Sequence, residues 1–170
     1  MHLFVDESKR RGYHFAVAGV RVEDVQAERV LVKGLLLKGQ SHLHFTKESD
    51  GRRRTILRAL TDSSSARCTI VTIPPGMSQI EARRICLGET VRLSAEHGAT
   101  RIVFERDDAA VEADKKVLYP LLHNSQVRYD FLEKRSEPLL WIADAIVWCY
   151  TAGSPWRRLA APLIDEVRSL

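Results

Sequence analysis

The chain has no apolar run long enough to cross a membrane. The strongest candidate, Leu139 to Tyr150, stops short and is interrupted by Asp144. Its three cysteines, Cys68, Cys86 and Cys149, are far apart and include no C-x-x-C pair. That excludes a disulfide framework and leaves a reducing cytoplasm as the expected compartment. The opening Met1-His2-Leu3-Phe4-Val5-Asp6 lacks a basic stretch followed by a long apolar core, so it does not read as a secretory signal. No G-x-x-x-x-G-K-[ST] loop is present, which argues against a P-loop nucleotide site, and there is no Gly-x-Ser-x-Gly elbow. Internal repeats, low-complexity segments and interdomain linkers are also missing, and 170 residues fit one domain spanning 1–170.

The composition that remains is that of an ordinary globular domain. Hydrophobic residues make up 45% of the chain and charged residues 28%, enough for a real core under a soluble surface. The net charge of +4 is compatible with nucleic acid but decides little alone. The arrangement of charge says more. Lys9-Arg10-Arg11 directly follows the acidic pair Asp6-Glu7, and Arg52-Arg53-Arg54 follows a segment bearing His42 and His44. Cations beside carboxylates suit an enzyme that grips a phosphate backbone and holds a metal. Two solvated charge runs would look the same.

Asp144 is the residue most out of place. In a helix, its neighbours one turn away are Leu140, Trp141, Val147 and Trp148, none of which can share its charge. A carboxylate sunk in such a face is costly unless it is paired or bound to a metal. The competing reading is a buried aspartate satisfied by donors from another element. Glu137, seven residues earlier on roughly the same stripe, would extend an acidic site or simply favour a helix N-terminus.

Periodicity predicts strands over residues 2–5, 13–22, 68–73, 101–105 and 126–132, the last being the final strand. Helices are expected over 23–38, 52–60, 78–97 and about 109–123, then from Pro138 through Asp144, with a closing helix over 156–167. This order predicts an α/β domain with a mixed central sheet and helices on both faces.

Phe4-Val5-Asp6-Glu7-Ser8 and Leu140-Trp141-Ile142-Ala143-Asp144-Ala145-Ile146 together resemble domain-of-unknown-function family 3800. Members begin with a strand ending Asp-Glu-Ser, carry a short His-containing segment, an acidic residue closing a mid-chain strand, and a Leu-x-x-Ala-Asp helix. Leu43-His44-Phe45 and Ile102-Val103-Phe104-Glu105 fill the middle places, in order. Two departures stand out: Lys9 replaces a frequent Gly, and Glu105 stands where Asp is commoner. The resemblance implies a ribonuclease H-like fold and a metal-dependent nuclease with Asp6, Glu105 and Asp144 as the acidic set. Asp107 or Asp108 is the alternative to Glu105.

The expected chemistry is phosphodiester hydrolysis with Mg²⁺ or Mn²⁺, since hard oxygen ligands suit these ions rather than zinc. Lys9, Arg10, Arg52 and Arg53 are expected along a phosphate track, with Lys47 beside them and His44 orienting a phosphate or moving a proton. Nucleic acid is the expected partner. A membrane is not, and the apolar last helices could support a homodimer. The alternative is a non-catalytic nucleic-acid-binding or protein-interaction module on the same fold. A weaker third reading is a hydrolase of small phosphoesters with a closed pocket.

Overall fold

The computed structural model describes residues 1–170. Six strands form one sheet: β1 (His2–Ser8), β2 (Tyr13–Val20), β3 (Arg67–Ile73), β4 (Arg101–Glu105), β5 (Arg128–Leu132) and β6 (Ile164–Ser169). Their order across the sheet is β5-β4-β1-β2-β3-β6. β1, β2 and β3 pair antiparallel, while β4 runs parallel to β1, β5 to β4, and β6 to β3.

The helices are α1 (Val25–Lys33), α2 (Asp50–Ser63), α3 (Gln79–Glu96), α4 (Val111–Leu122), α5 (Leu140–Ala152) and α6 (Trp156–Ala160). Strand alternation separates two cores. Phe4, Ala16, Ala18, Ile70 and Val103 face α5, with α1, α2 and α6 on the same side. Leu3, Val5, Phe15, Val17, Ile102 and Phe104 face α3 and α4. This explains the unbroken apolar run of α5. It lies against β1 and β2 and is roofed by other helices, so every residue from Leu140 to Val147 is buried.

Two expected helices are corrected. The first ends at Lys33 and not near residue 38; Gly34 caps it, and Leu35 and Leu36 pack onto the core from the turn that follows. The closing helix is only Trp156–Ala160, after which a 3-10 turn carrying Pro162 leads into β6. Proline has no N–H to continue a helix, whereas the open edge of β3 offers a full ladder. β5 is therefore not the last strand.

Where β1 turns into β2 the backbone is tightly held. Gly12 has φ of 131°, and a Cβ there would sit 2.5 Å from the Ile73 carbonyl oxygen. Beside it His14 is buried: Nε2 donates to the Arg10 carbonyl at 3.1 Å, and Nδ1 meets the Thr72 hydroxyl at 2.7 Å. Burial holds its pKa below the ordinary value of 6.5. The folded protein therefore binds fewer protons here than the unfolded chain. The resulting stability is complete above about pH 6.5 and is lost as pH falls below it. His14→Gln should show a shallower fall of the urea midpoint between about pH 7.5 and about pH 5 than the parent. Equal slopes in the two proteins would contradict this.

Candidate active site

β1 carries Asp6 near the strand's C-terminal end on the α5 face, because it alternates with Val5 and Glu7. β4 pairs parallel with β1 through Val5 and Phe104, so Glu105 follows on the same side as Asp6. α5 presents Asp144 to that face. The three expected carboxylates are thus brought together from two strand ends and a helix.

At their centre is a group the sequence reading missed. The Lys134 ammonium lies 2.9 Å from Asp6 Oδ2, 3.1 Å from Glu105 Oε1 and 3.1 Å from Asp144 Oδ1. Its side chain is 11% exposed, and Asp6 and Asp144 are buried. The second oxygens of the two aspartates are also held. The Glu7 N–H donates to Asp6 Oδ1 at 2.7 Å, and the Phe45 N–H donates to Asp144 Oδ2 at 2.8 Å. His44 Nδ1, buried and without a hydrogen bond, is 4.0 Å from Asp144 Oδ2.

The electrostatics follow from crowding. Burial pushes Asp6 well above the usual carboxylate range. The neighbouring Glu105 carboxyl and the charge of Asp144 push the same way, against the pull of Lys134. Burial opposes ionisation of Glu105 too, but the neighbouring Asp6 carboxyl and the Lys134 ammonium bring its pKa below the ordinary value. Lys134 is desolvated yet held above its ordinary value by Asp6, Asp144 and Glu105. Burial is the first cause lowering His44, with Lys134 and Lys47 adding to it and Asp144 opposing.

No three His, Cys, Asp or Glu side chains form a ready-made metal cage; the carboxylates are drawn around Lys134 instead. In donor chemistry they fit a hard divalent cation: three oxygens, two of them on buried side chains, meet about one point that already holds a positive charge.

The remaining expected residues divide. Glu105 joins the cluster, whereas Asp107 bonds the Ala109 N–H and Asp108 pairs with Arg106. Glu137 does not extend the acidic site: it is buried against Arg29, with Nε donating to Oε1 at 3.1 Å. Glu7 points to the other face, toward Arg83 and Lys9.

Arg52 and Arg53 are turned inward and not along a track. Arg52 donates to the Leu35 carbonyl at 2.5 Å. Arg53 donates to the Phe45 and Thr46 carbonyls and to Asp50, and lies 4.2 Å from the Trp148 ring centroid. These bonds hold the short segment that brings His44 and the Phe45 N–H to Asp144. Arg10 and Lys47 are exposed, and Lys9 is exposed and paired with Glu7 at 3.0 Å. Beside the cluster a cavity of about 360 Å³ is lined by His42, His44, Glu105, Arg106, Glu133, Lys134 and Arg135, with no apolar side chain. A second, of about 580 Å³, opens past Asp6 and Glu105 toward Arg83 and Phe104.

No protein-family model matches the chain, and no curated protein matches it. Among solved structures it is similar to the PCNA:RNase HII complex from Archaeoglobus fulgidus. The match is at 17% identity and covers 89% of this chain and 73% of that one, with a TM-score of 0.59. At that identity the likeness shows the fold alone. The fold is ribonuclease H-like, as the order of motifs implied. No helix is long and apolar enough to cross a membrane.

Proposed function

We propose that this chain is a nuclease that hydrolyses phosphodiester bonds with Mg²⁺ or Mn²⁺, in keeping with the family 3800 motifs it resembles. The observation that carries the reading is the meeting of Asp6, Glu105 and Asp144 around one buried cationic point at the ends of β1 and β4. The ribonuclease H-like fold supports it. When bound, a divalent ion at such a site supplies an activated water and neutralises charge on the leaving oxygen.

The protein's own groups would do the rest. Asp6, Glu105 and Asp144 would hold the ion. The Phe45 N–H fixes the Asp144 carboxylate, and Arg53 fixes Phe45. His44, which lines the cavity while its Nδ1 is buried beside Asp144, would orient a phosphate or move a proton at the leaving oxygen. Exposed Lys9, Arg10 and Lys47 would hold the flanking backbone of a nucleic acid, whose affinity should then fall steeply with salt.

One observation favours a second reading. Lys134 already supplies the cluster with a cation, as it would in a non-catalytic nucleic-acid-binding or protein-interaction module. Calorimetric titration with Mn²⁺ distinguishes the two. The nuclease reading expects stoichiometric binding that is lost in Asp6→Asn, and cleavage of single- or double-stranded DNA or RNA that depends on the ion. Nucleic-acid binding with neither metal binding nor cleavage would sink it in favour of the module.

A further inference from the structure

Lys134 lies in the turn between β5 and α5, beside Glu133 and Arg135, whose side chains pair with each other. Nearby Arg106 is paired with Asp108. Lys134 is therefore the cation that the three carboxylates share. Its Nζ is within 3.1 Å of an oxygen from each, which is the place a cation would take among them. An ammonium and a divalent ion cannot both sit there, since like charges at such a separation in a partly desolvated site repel strongly. The polar cavity of about 360 Å³ on the lysine's open side gives the side chain somewhere to go.

We propose that Lys134 is a built-in competitor of the metal. Its ammonium holds the carboxylates together in the metal-free protein, and metal entry displaces it into the cavity beside His42 and His44. There its charge faces the phosphate of an incoming substrate. One side chain would then keep the empty site from flying apart and position substrate once the site is loaded. The inference rests on the metal-dependent reading above.

The test is Mn²⁺ calorimetry on the parent and on Lys134→Met, which keeps an unbranched side chain one atom shorter and removes its charge. The expected result is binding at least about tenfold tighter in the variant, because the competitor is gone. Metal-free Lys134→Met should melt lower than the parent, and saturating Mn²⁺ should restore much of the loss. Binding by the variant alone would support the proposal in its strongest form. Equal or weaker binding in the variant, alongside clear binding by the parent, overturns the role of Lys134 and leaves the metal reading standing. Binding by neither overturns both.

If Lys134→Met does not fold, acetylation of the parent decides. Lys134 should react slowly without metal and markedly faster with saturating Mn²⁺, read by peptide mass mapping. Equal rates overturn the proposal.

Discussion

Asp144→Asn should reduce metal-dependent phosphodiester hydrolysis at least about a hundredfold while leaving the fold intact. Removing groups that merely support a metal ligand already costs about 10- to 100-fold. Removing the charge of a ligand itself should cost no less. The asparagine side-chain oxygen can still accept the Phe45 N–H bond now made at 2.8 Å, and although its amide nitrogen replaces the oxygen that met Lys134, Asp6 and Glu105 still hold that ammonium and the volume is unchanged. Unfolding stability without metal should therefore stay within about 2 kcal/mol of the parent. Initial cleavage rates at saturating Mn²⁺, set beside urea melts of the same preparations, make the comparison. A folded variant with parental rates would remove Asp144 from the chemistry and return it to the role of a satisfied core residue.

Arg83→Met should be the most destabilising single change outside the apolar core. Arg83 bonds Asp114 through two nitrogens, each at 2.7 Å, reaches the Tyr13 hydroxyl at 3.1 Å and pairs with Glu7. Asp114 is 1% exposed, and Tyr13 is buried. Burial and the neighbouring Glu7 hold the Tyr13 hydroxyl protonated well beyond its usual range. Without Arg83, buried Asp114 loses its counter-charge on the α3–α4 side of the sheet, and Glu7 keeps only the exposed Lys9. Breaking a buried pair in this way costs about 3–5 kcal/mol. Denaturant melts should show that loss, and Arg83→Lys should recover only part of it, since an ammonium cannot make the two-pronged contact. A loss below about 1 kcal/mol would mean that the network contributes little. Glu7 and Asp6 are adjacent on β1, so the same change should also loosen the end of the strand that presents Asp6.

How much of this was legible in the sequence depended on contrast. Asp144 stood out because every neighbour was apolar, and Asp6 because it closed an apolar strand. Both do face the cluster. Lys134 did not stand out, because Glu133-Lys134-Arg135-Ser136 has the composition of any solvated turn. Only the crossing from β5 to α5 aims one of its four side chains inward. Arg52 and Arg53 misled for the opposite reason. A run of arginines looks solvated, yet these two are consumed by backbone carbonyls of the preceding loops and, for Arg53, by a tryptophan face far off in sequence. β6 was hidden by its charge. Asp165, Glu166 and Arg168 break the alternation that marks a strand, as suits an edge that must not recruit another chain.

The order of the cluster along the chain has a consequence in time. Asp6 lies in a meander of β1, β2 and β3 that is complete by Ile73, long before its partners have been synthesised. At ordinary rates of translation, roughly ten to thirty seconds separate the appearance of Asp6 from that of Asp144. Glu105 follows Asp6, Lys134 comes next, and Asp144 is last. The growing chain thus releases the ammonium before the third carboxylate. A nascent domain never has to bring all three negative charges together without the positive one that joins them.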